Sequence, residues 1–420
     1  MSKEIFAKRF TRREFLKKMG LAAGTVALSS VVGFRSFGQG PVTIGALHPM
    51  TGPLAEFGPP EVNADKLAIE QLNEAAGREF IKLEVGDTQG AAPAAIAEAN
   101  RLVDVVGVPV IIGGASSGIT ISVAQSVTIP KRVLQISYAS TSPQITTLED
   151  NDFLFRTCPS DALQGVVAGR LAFALGYKTA STMYVNNPYG QGLSEYFAKE
   201  FERIGGKVLA QVPHPEEAQP TYVAELQQAL EGNPDVIFLP TYPGQAVVFM
   251  REAIEQFGYN SWQFTDGTRS LEIPKAVGAE NVEGMWGTAP GSWKFPSVDV
   301  FWADYEAAYG EKPPLPFIDT AYDAVVLAGL AIYKALVDGV EINGEAVRDR
   351  LRFVANPPGE VVGAGVDELK KAIKLLEDGK DINYEGAAGA QDFDEHGDVV
   401  TPIDIWRYKN GEPVTVWTIG

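Results

Sequence analysis

Residues 110–146, VIIGGASSGITISVAQSVTIPKRVLQISYASTSPQIT, read as two buried strands, each running straight into a loop of small and hydroxylated residues. Val110-Ile111-Ile112 ends at the glycine-serine loop GGASSG, and the apolar run 133–136 ends at Ser137-Tyr138-Ala139-Ser140-Thr141. In an open parallel sheet, ligands bind outside the carboxyl ends of the strands. Two adjacent polar loops there can hold one small anion. The hydroxyls of Ser117 and Thr141 and the backbone N–H groups near Ser117 and Ala139 are the candidate donors. A helix starting after Gly118 adds the partial positive charge of its N-terminus.

Outward from this stretch, strand and helix signals alternate. Strands are expected at 42–47 and 81–87, with helices over 60–74 and 92–105. The pattern restarts after residues 155–160, with helical segments at 161–175, 193–204, 222–230 and 246–257. Strands at 181–185, 208–212, 236–239 and near Phe264 lie between them. Strand–helix–strand order with apolar strands means an α/β fold of doubly wound parallel sheets, here two of them. From about Gly287 the chain is helical again (298–309 and 320–337), then ends in two strand-like segments, 403–408 and 414–417. Lys409-Asn410-Gly411-Glu412 between them is a hairpin signal. Helices after two complete units suggest a return to the first domain, several crossings between domains, and hence a hinge.

The length of 420 residues suits two domains. A net charge of −18 argues against a nucleic-acid partner, whose phosphates demand a basic surface. A single cysteine, Cys158, cannot form an intrachain disulfide. Residues 11–17, TRREFLK, match a twin-arginine export signal, followed by a weakly apolar run at 19–34 and small residues Ser36 and Gly38 before Gln39. The run is too short to span a membrane. We therefore expect residues 1–38 to be a cleaved signal and the mature chain to be periplasmic. No cysteine near the cut favours lipid anchoring.

The second domain offers three further loops at strand ends: NPYGQG with Tyr189, PTYPG with Tyr242, and TDG with Asp266. Opposite two hydroxyl-rich loops, they suit a zwitterion. Asp266 can accept from an ammonium in a charge-assisted hydrogen bond, and the tyrosines can offer ring faces to the same amine. Two catalytic or metal-binding readings compete. GASSG fits the nucleophile elbow with Ser116 as nucleophile, but only His214 and His396 follow it, so a serine esterase is the less favoured reading. DFDEHGD at 392–398 resembles the start of a calcium loop, yet Ile403 stands where a bidentate glutamate is required, so a turn is expected there. No metal and no cofactor are expected.

With these motifs in order, the chain resembles the branched-chain amino acid binding proteins of ABC importers, within the type I periplasmic binding fold. The resemblance covers about residues 41–417 and includes IGALHPMTGPLAEFG, GGASSG, ISYASTSPQIT, NNPYGQGL, FIDTAYDAVVLAGLAI and DFDEHGD. It implies two lobes joined by a three-stranded hinge, lobe 1 from 41–157 plus 288–380 and lobe 2 from 158–287 plus 381–420. It places Ser117, Ala139 and Thr141 at the ligand carboxylate, Asp266 at the α-ammonium, and Tyr189 and Tyr242 in the cleft. Phe57 falls where a tyrosine is familiar, which favours an apolar side chain. The register at Ser116 and Ser117 leaves open which serine faces the ligand. The implied function is a monomeric, extracytoplasmic receptor that delivers an aliphatic, branched-chain amino acid to an ABC permease. Relatives in the same fold bind an aromatic acid, amide or urea. An acid at position 266 favours an amine-bearing ligand, because a neutral one would leave a buried carboxylate unpaired.

Overall fold

The computed structural model describes residues 40–420, so the export signal expected at 1–38 lies outside the described residues. The first sheet holds β1 (Val42–His48), β2 (Ile81–Asp87), β3 (Val110–Gly113), β4 (Leu134–Ser137) and β5 (Leu154–Arg156), in the order β2-β1-β3-β4-β5. Every pairing in it is parallel. β3 and β4 are buried along their whole length, which is why they read as unbroken apolar runs rather than alternating ones. The strand order turns back between β1 and β3, and the loops after β1, β3 and β4 open at that switch point.

The second sheet repeats the plan with β6 (Thr179–Val185), β7 (Lys207–His214), β8 (Val236–Phe238) and β9 (Trp262–Gln263), ordered β7-β6-β8-β9 and all parallel. Phe264 bridges to Gly287 in β10 (Trp286–Pro290), which pairs antiparallel with β13 (Ile403–Lys409). β13 pairs in turn with β14 (Glu412–Ile419). Asn410 and Gly411 take φ of 55° and 80°, the two left-handed residues that a tight hairpin of this hand demands.

A short parallel pair, β11 (Glu360–Gly363) and β12 (Ile382–Glu385), is joined by the Val366–Glu377 helix. Residues 382–385 pair with β11 beside the first lobe, and Thr288–Pro290 in β10 pair with β13 of the second. Three crossings link the sheets: 157–160 leads from β5 towards β6, 291–295 leads from β10 back to the helices before β11, and 386–402 leads from β12 to β13. The Ile318–Asp338 helix is long and apolar enough to cross a bilayer but is almost entirely buried. It packs on the Gly58–Ala75 helix, where a Cβ at Gly329 would meet Leu72 at 2.4 Å.

The DFDEHGD segment is a turn, as expected, and two of its carboxylates, Asp394 and Asp398, are occupied by protein donors. Asp394 Oδ1 accepts from the N–H groups of His396 and Asp398 at 2.8 and 3.0 Å. Asp398 accepts from Arg156 Nε at 2.7 Å and from Arg156 Nη2 at 2.6 Å. The same guanidinium, fully buried at the end of β5, donates to the carbonyls of Ser140 and Ser142 at 3.2 and 2.9 Å. One ion pair thus ties the third crossing to the loop after β4.

Candidate functional site

A cavity lies where the strand ends of the two lobes face each other. The first lobe contributes Leu54, Phe57 and Glu61 from the loop and helix after β1, Ala115, Ser116 and Ser117 from the loop after β3, and Ala139 from the loop after β4. The second contributes Tyr189 after β6, Tyr242 after β8, and Asp266 and Gly267 after β9. Phe317 completes the wall at the start of the long buried helix.

The serine loops are built to turn carbonyls inward and leave N–H groups free. The hydroxyls of Ser137, Ser140 and Thr120 all lie within hydrogen-bond distance of the Gly114 carbonyl, at 2.9, 3.1 and 3.1 Å. Gln135 donates to the Gly113 carbonyl at 2.9 Å. With these carbonyls occupied, the N–H groups of Ser117 and Ala139 find no backbone acceptor among the described residues. Ser117 Oγ accepts from the Ser142 N–H at 3.1 Å, which leaves its own proton to donate. Ser116 caps the Ser117–Val123 helix, lies close to Glu216 and the Tyr242 hydroxyl, and its buried Oγ makes no hydrogen bond of normal geometry among the described residues. Both serines line the cavity.

Across the cavity, Asp266 is buried and accepts from Gln164 Nε2 at 2.6 Å and the Tyr189 hydroxyl at 3.1 Å. Tyr189 and Tyr242 stack with ring centroids 5.8 Å apart. Position 267 must be glycine, since a Cβ there would sit 2.8 Å from the Tyr189 hydroxyl and 2.6 Å from the Thr241 carbonyl. Burial pushes Asp266 up to about 6, and the groups acting on it most strongly include no cation. Its buried neighbour Asp161 is raised well above the usual carboxylate range, by burial and by the charge of Asp266. Two acids thus share one buried region.

Seven of the eight expected residues, Phe57, Ser116, Ser117, Ala139, Tyr189, Tyr242 and Asp266, meet in this cavity. Thr141 does not. Its hydroxyl donates to Asp161 Oδ2 at 2.9 Å, so it supports the acidic pair from behind rather than lining the cavity.

Glu61 was not anticipated. In the sequence it is an acid in the first turn of a helix, where an acid is ordinary. In the fold it belongs to a buried cluster with His48, Asp65 and Tyr138. His48 Nε2 lies 2.7 Å from Asp65 Oδ2, and His48 Nδ1 lies 2.8 Å from the Tyr138 hydroxyl. That hydroxyl donates to Glu61 Oε2 at 2.8 Å. Burial alone would lower His48, but Asp65 and Glu61 outweigh it and push the imidazole up to about 9.

Neither histidine that the esterase reading could use is placed as a base for Ser116. His214 is occupied by Pro215 and Thr241 and lowered to about 4 by burial, and His396 lies exposed beside Glu395. Among the described residues no group of three or more His, Cys, Asp or Glu could hold a metal ion.

The lobes also touch outside the cavity. Glu56 of the first lobe accepts from the Ser270 hydroxyl and from the N–H groups of Leu271 and Glu272, at 2.8 and 3.1 Å for the two amides. Ser142 Oγ donates to the Pro188 carbonyl at 2.9 Å.

The sequence profile described as periplasmic binding protein matches residues 41–412. A leucine-, isoleucine-, valine-, threonine- and alanine-binding protein of Pseudomonas aeruginosa is 28% identical over 328 residues, covering 77% of this chain and 86% of that protein. A Leu/Ile/Val-binding protein homologue of Brucella abortus is 30% identical over 312 residues, covering 73% of this chain and 81% of that one. Among solved structures, a leucine-binding protein of Thermotoga maritima superposes with a TM-score of 0.76 at 26% identity, covering 90% of this chain and 99% of that one. These relatives are named as binding proteins, not enzymes.

Proposed function

From a chain that belongs to the periplasmic binding protein family, we propose an extracytoplasmic receptor that closes two lobes on one α-amino acid and delivers it to an ABC permease. One observation carries the reading: free N–H groups and a serine hydroxyl on one lobe face a buried carboxylate without a cation on the other. Ser117 and Ala139, with Ser116 beside them, would hold the α-carboxylate. Asp266 would take the ammonium, and Tyr189 and Tyr242 would enclose it. Leu54, Phe57 and Phe317 support a compact, branched side chain. The names of the Pseudomonas and Brucella relatives point the same way. An aromatic acid would leave the buried Asp266 carboxylate without a compensating charge, at a cost of several kcal/mol.

A thermal-shift panel of the twenty amino acids, benzoate and short amides tests this. The cognate amino acid at 100 times its dissociation constant should stabilise the protein by about 2.7 kcal/mol. A panel in which only benzoates or amides raise the melting temperature would overturn the amino-acid reading.

Closure would swing the lobes about 157–160, 291–295 and 386–402, with Glu56 as a latch that forms only when they meet. Glu56 lines no part of the cavity. Glu56→Ala removes a charged acceptor from three donors and so biases the protein towards the open state. Affinity should fall by about tenfold, equivalent to about 1.4 kcal/mol, although the ligand loses no contact. Calorimetry gives the affinity and small-angle scattering the ligand-free dimensions. A variant as tight and as compact as the parent would exclude the latch.

A further inference from the structure

Glu61 is 1% exposed and lines the cavity on the same wall as Leu54 and Phe57. Only one of its carboxylate oxygens is satisfied by the protein. Oε2 accepts from the Tyr138 hydroxyl and faces His48 Nδ1 at 3.3 Å, whereas Oε1 has no partner among the described residues. The group cannot turn away to find one. Tyr138 is fixed by His48, and His48 by Asp65 at 2.7 Å beneath it. The amine already has an acid on the opposite lobe, Asp266, so Glu61 is a second carboxylate set among the apolar residues that face the ligand side chain.

We propose that Glu61 is a specificity-determining residue that selects an amino acid whose side chain carries an N–H or O–H donor, so that threonine is preferred to its hydrocarbon isostere valine. The inference rests on the amino-acid reading of the cavity and deepens it. A purely aliphatic side chain would seal Glu61 Oε1 from water and offer it nothing, and a desolvated acceptor without a donor is costly. A branched side chain with a hydroxyl satisfies both walls. Leu54, Phe57 and Phe317 meet its methyl group, and Glu61 accepts from its hydroxyl. Sites that hydrogen-bond a substrate group discriminate strongly against analogues that lack it, whereas a purely apolar pocket separates such isosteres weakly.

Calorimetric titration of threonine and valine into the wild-type protein, Glu61→Gln and Glu61→Leu tests it. Wild type should bind threonine at least about tenfold more tightly than valine. Glu61→Gln keeps an oxygen for Tyr138 but places an amide where the free oxygen was, and should reduce that ratio severalfold. Glu61→Leu, if it folds, should invert it. A wild-type protein that binds valine as tightly as threonine overturns the role of Glu61 and leaves the amino-acid reading standing, as does an unchanged ratio in Glu61→Gln. A wild-type protein that binds no amino acid overturns both.

Discussion

Asp266→Asn is expected to abolish tight amino-acid binding while leaving the ligand-free protein at least as stable as the parent. The two effects have one cause. In the empty cavity Asp266 is a buried acid beside a second buried acid, Asp161, and burial raises both. Asparagine keeps an oxygen for Gln164 and Tyr189 and removes one potential charge from that region. The ligand-free melting temperature should therefore stay or rise. For a bound ammonium, by contrast, the carboxylate is the compensating charge. Removing one partner of a buried charged pair costs about 2–5 kcal/mol, a loss in affinity of at least about thirtyfold. Calorimetry and thermal unfolding together separate the two effects, and parent-like affinity in the variant would refute the ammonium role.

The same residue makes binding depend on pH. Asp266 titrates near 6, and only its ionised form suits an ammonium. Affinity should fall as pH drops through that value, by about tenfold between pH 8 and pH 5. The ligand-free fold should respond in the opposite sense. An acid raised by folding favours the protonated state, so its contribution to stability is present at low pH and is lost as pH rises through about 6. Asp266→Asn should flatten both profiles.

Arg156→Ala is expected to cost about 3–5 kcal/mol of folding stability. The guanidinium is fully buried and makes two bonds to Asp398, two to carbonyls of the loop after β4 and one to Thr146 Oγ1 at 2.8 Å. Alanine would strand the Asp398 carboxylate and uncouple the third crossing from that loop, which carries Ala139. The double substitution Arg156→Met with Asp398→Leu removes both charges and fills the space, and it should recover a large part of the loss. Urea unfolding of the three proteins measures this. Equal stability of Arg156→Ala and the parent would show that the pair contributes nothing.

Much of the molecule was legible in the chain. The alternation of strands and helices is local, because period and turn residues are read within a few positions, and Asn410-Gly411 announced its hairpin for the same reason. The loops of the site were legible because a parallel sheet sends its strand ends to one edge, so Ser117, Ala139, Tyr189, Tyr242 and Asp266 could be placed in one cleft. β11 and β12 were missed because each is four residues long and gains its partner 22 positions away.

What the sequence by itself determined was therefore the class of fold and which strand-end loops line the cleft. Tertiary structure alone decided where individual hydroxyls and acids point. Thr141 looks like a ligand donor until Asp161, 20 residues on, accepts its proton. Glu61 looks like an ordinary first-turn acid until His48 and Tyr138, 13 and 77 residues away, hold one of its oxygens and leave the other free. A side chain's direction follows from partners brought close by folding, and no spacing along the chain encodes them.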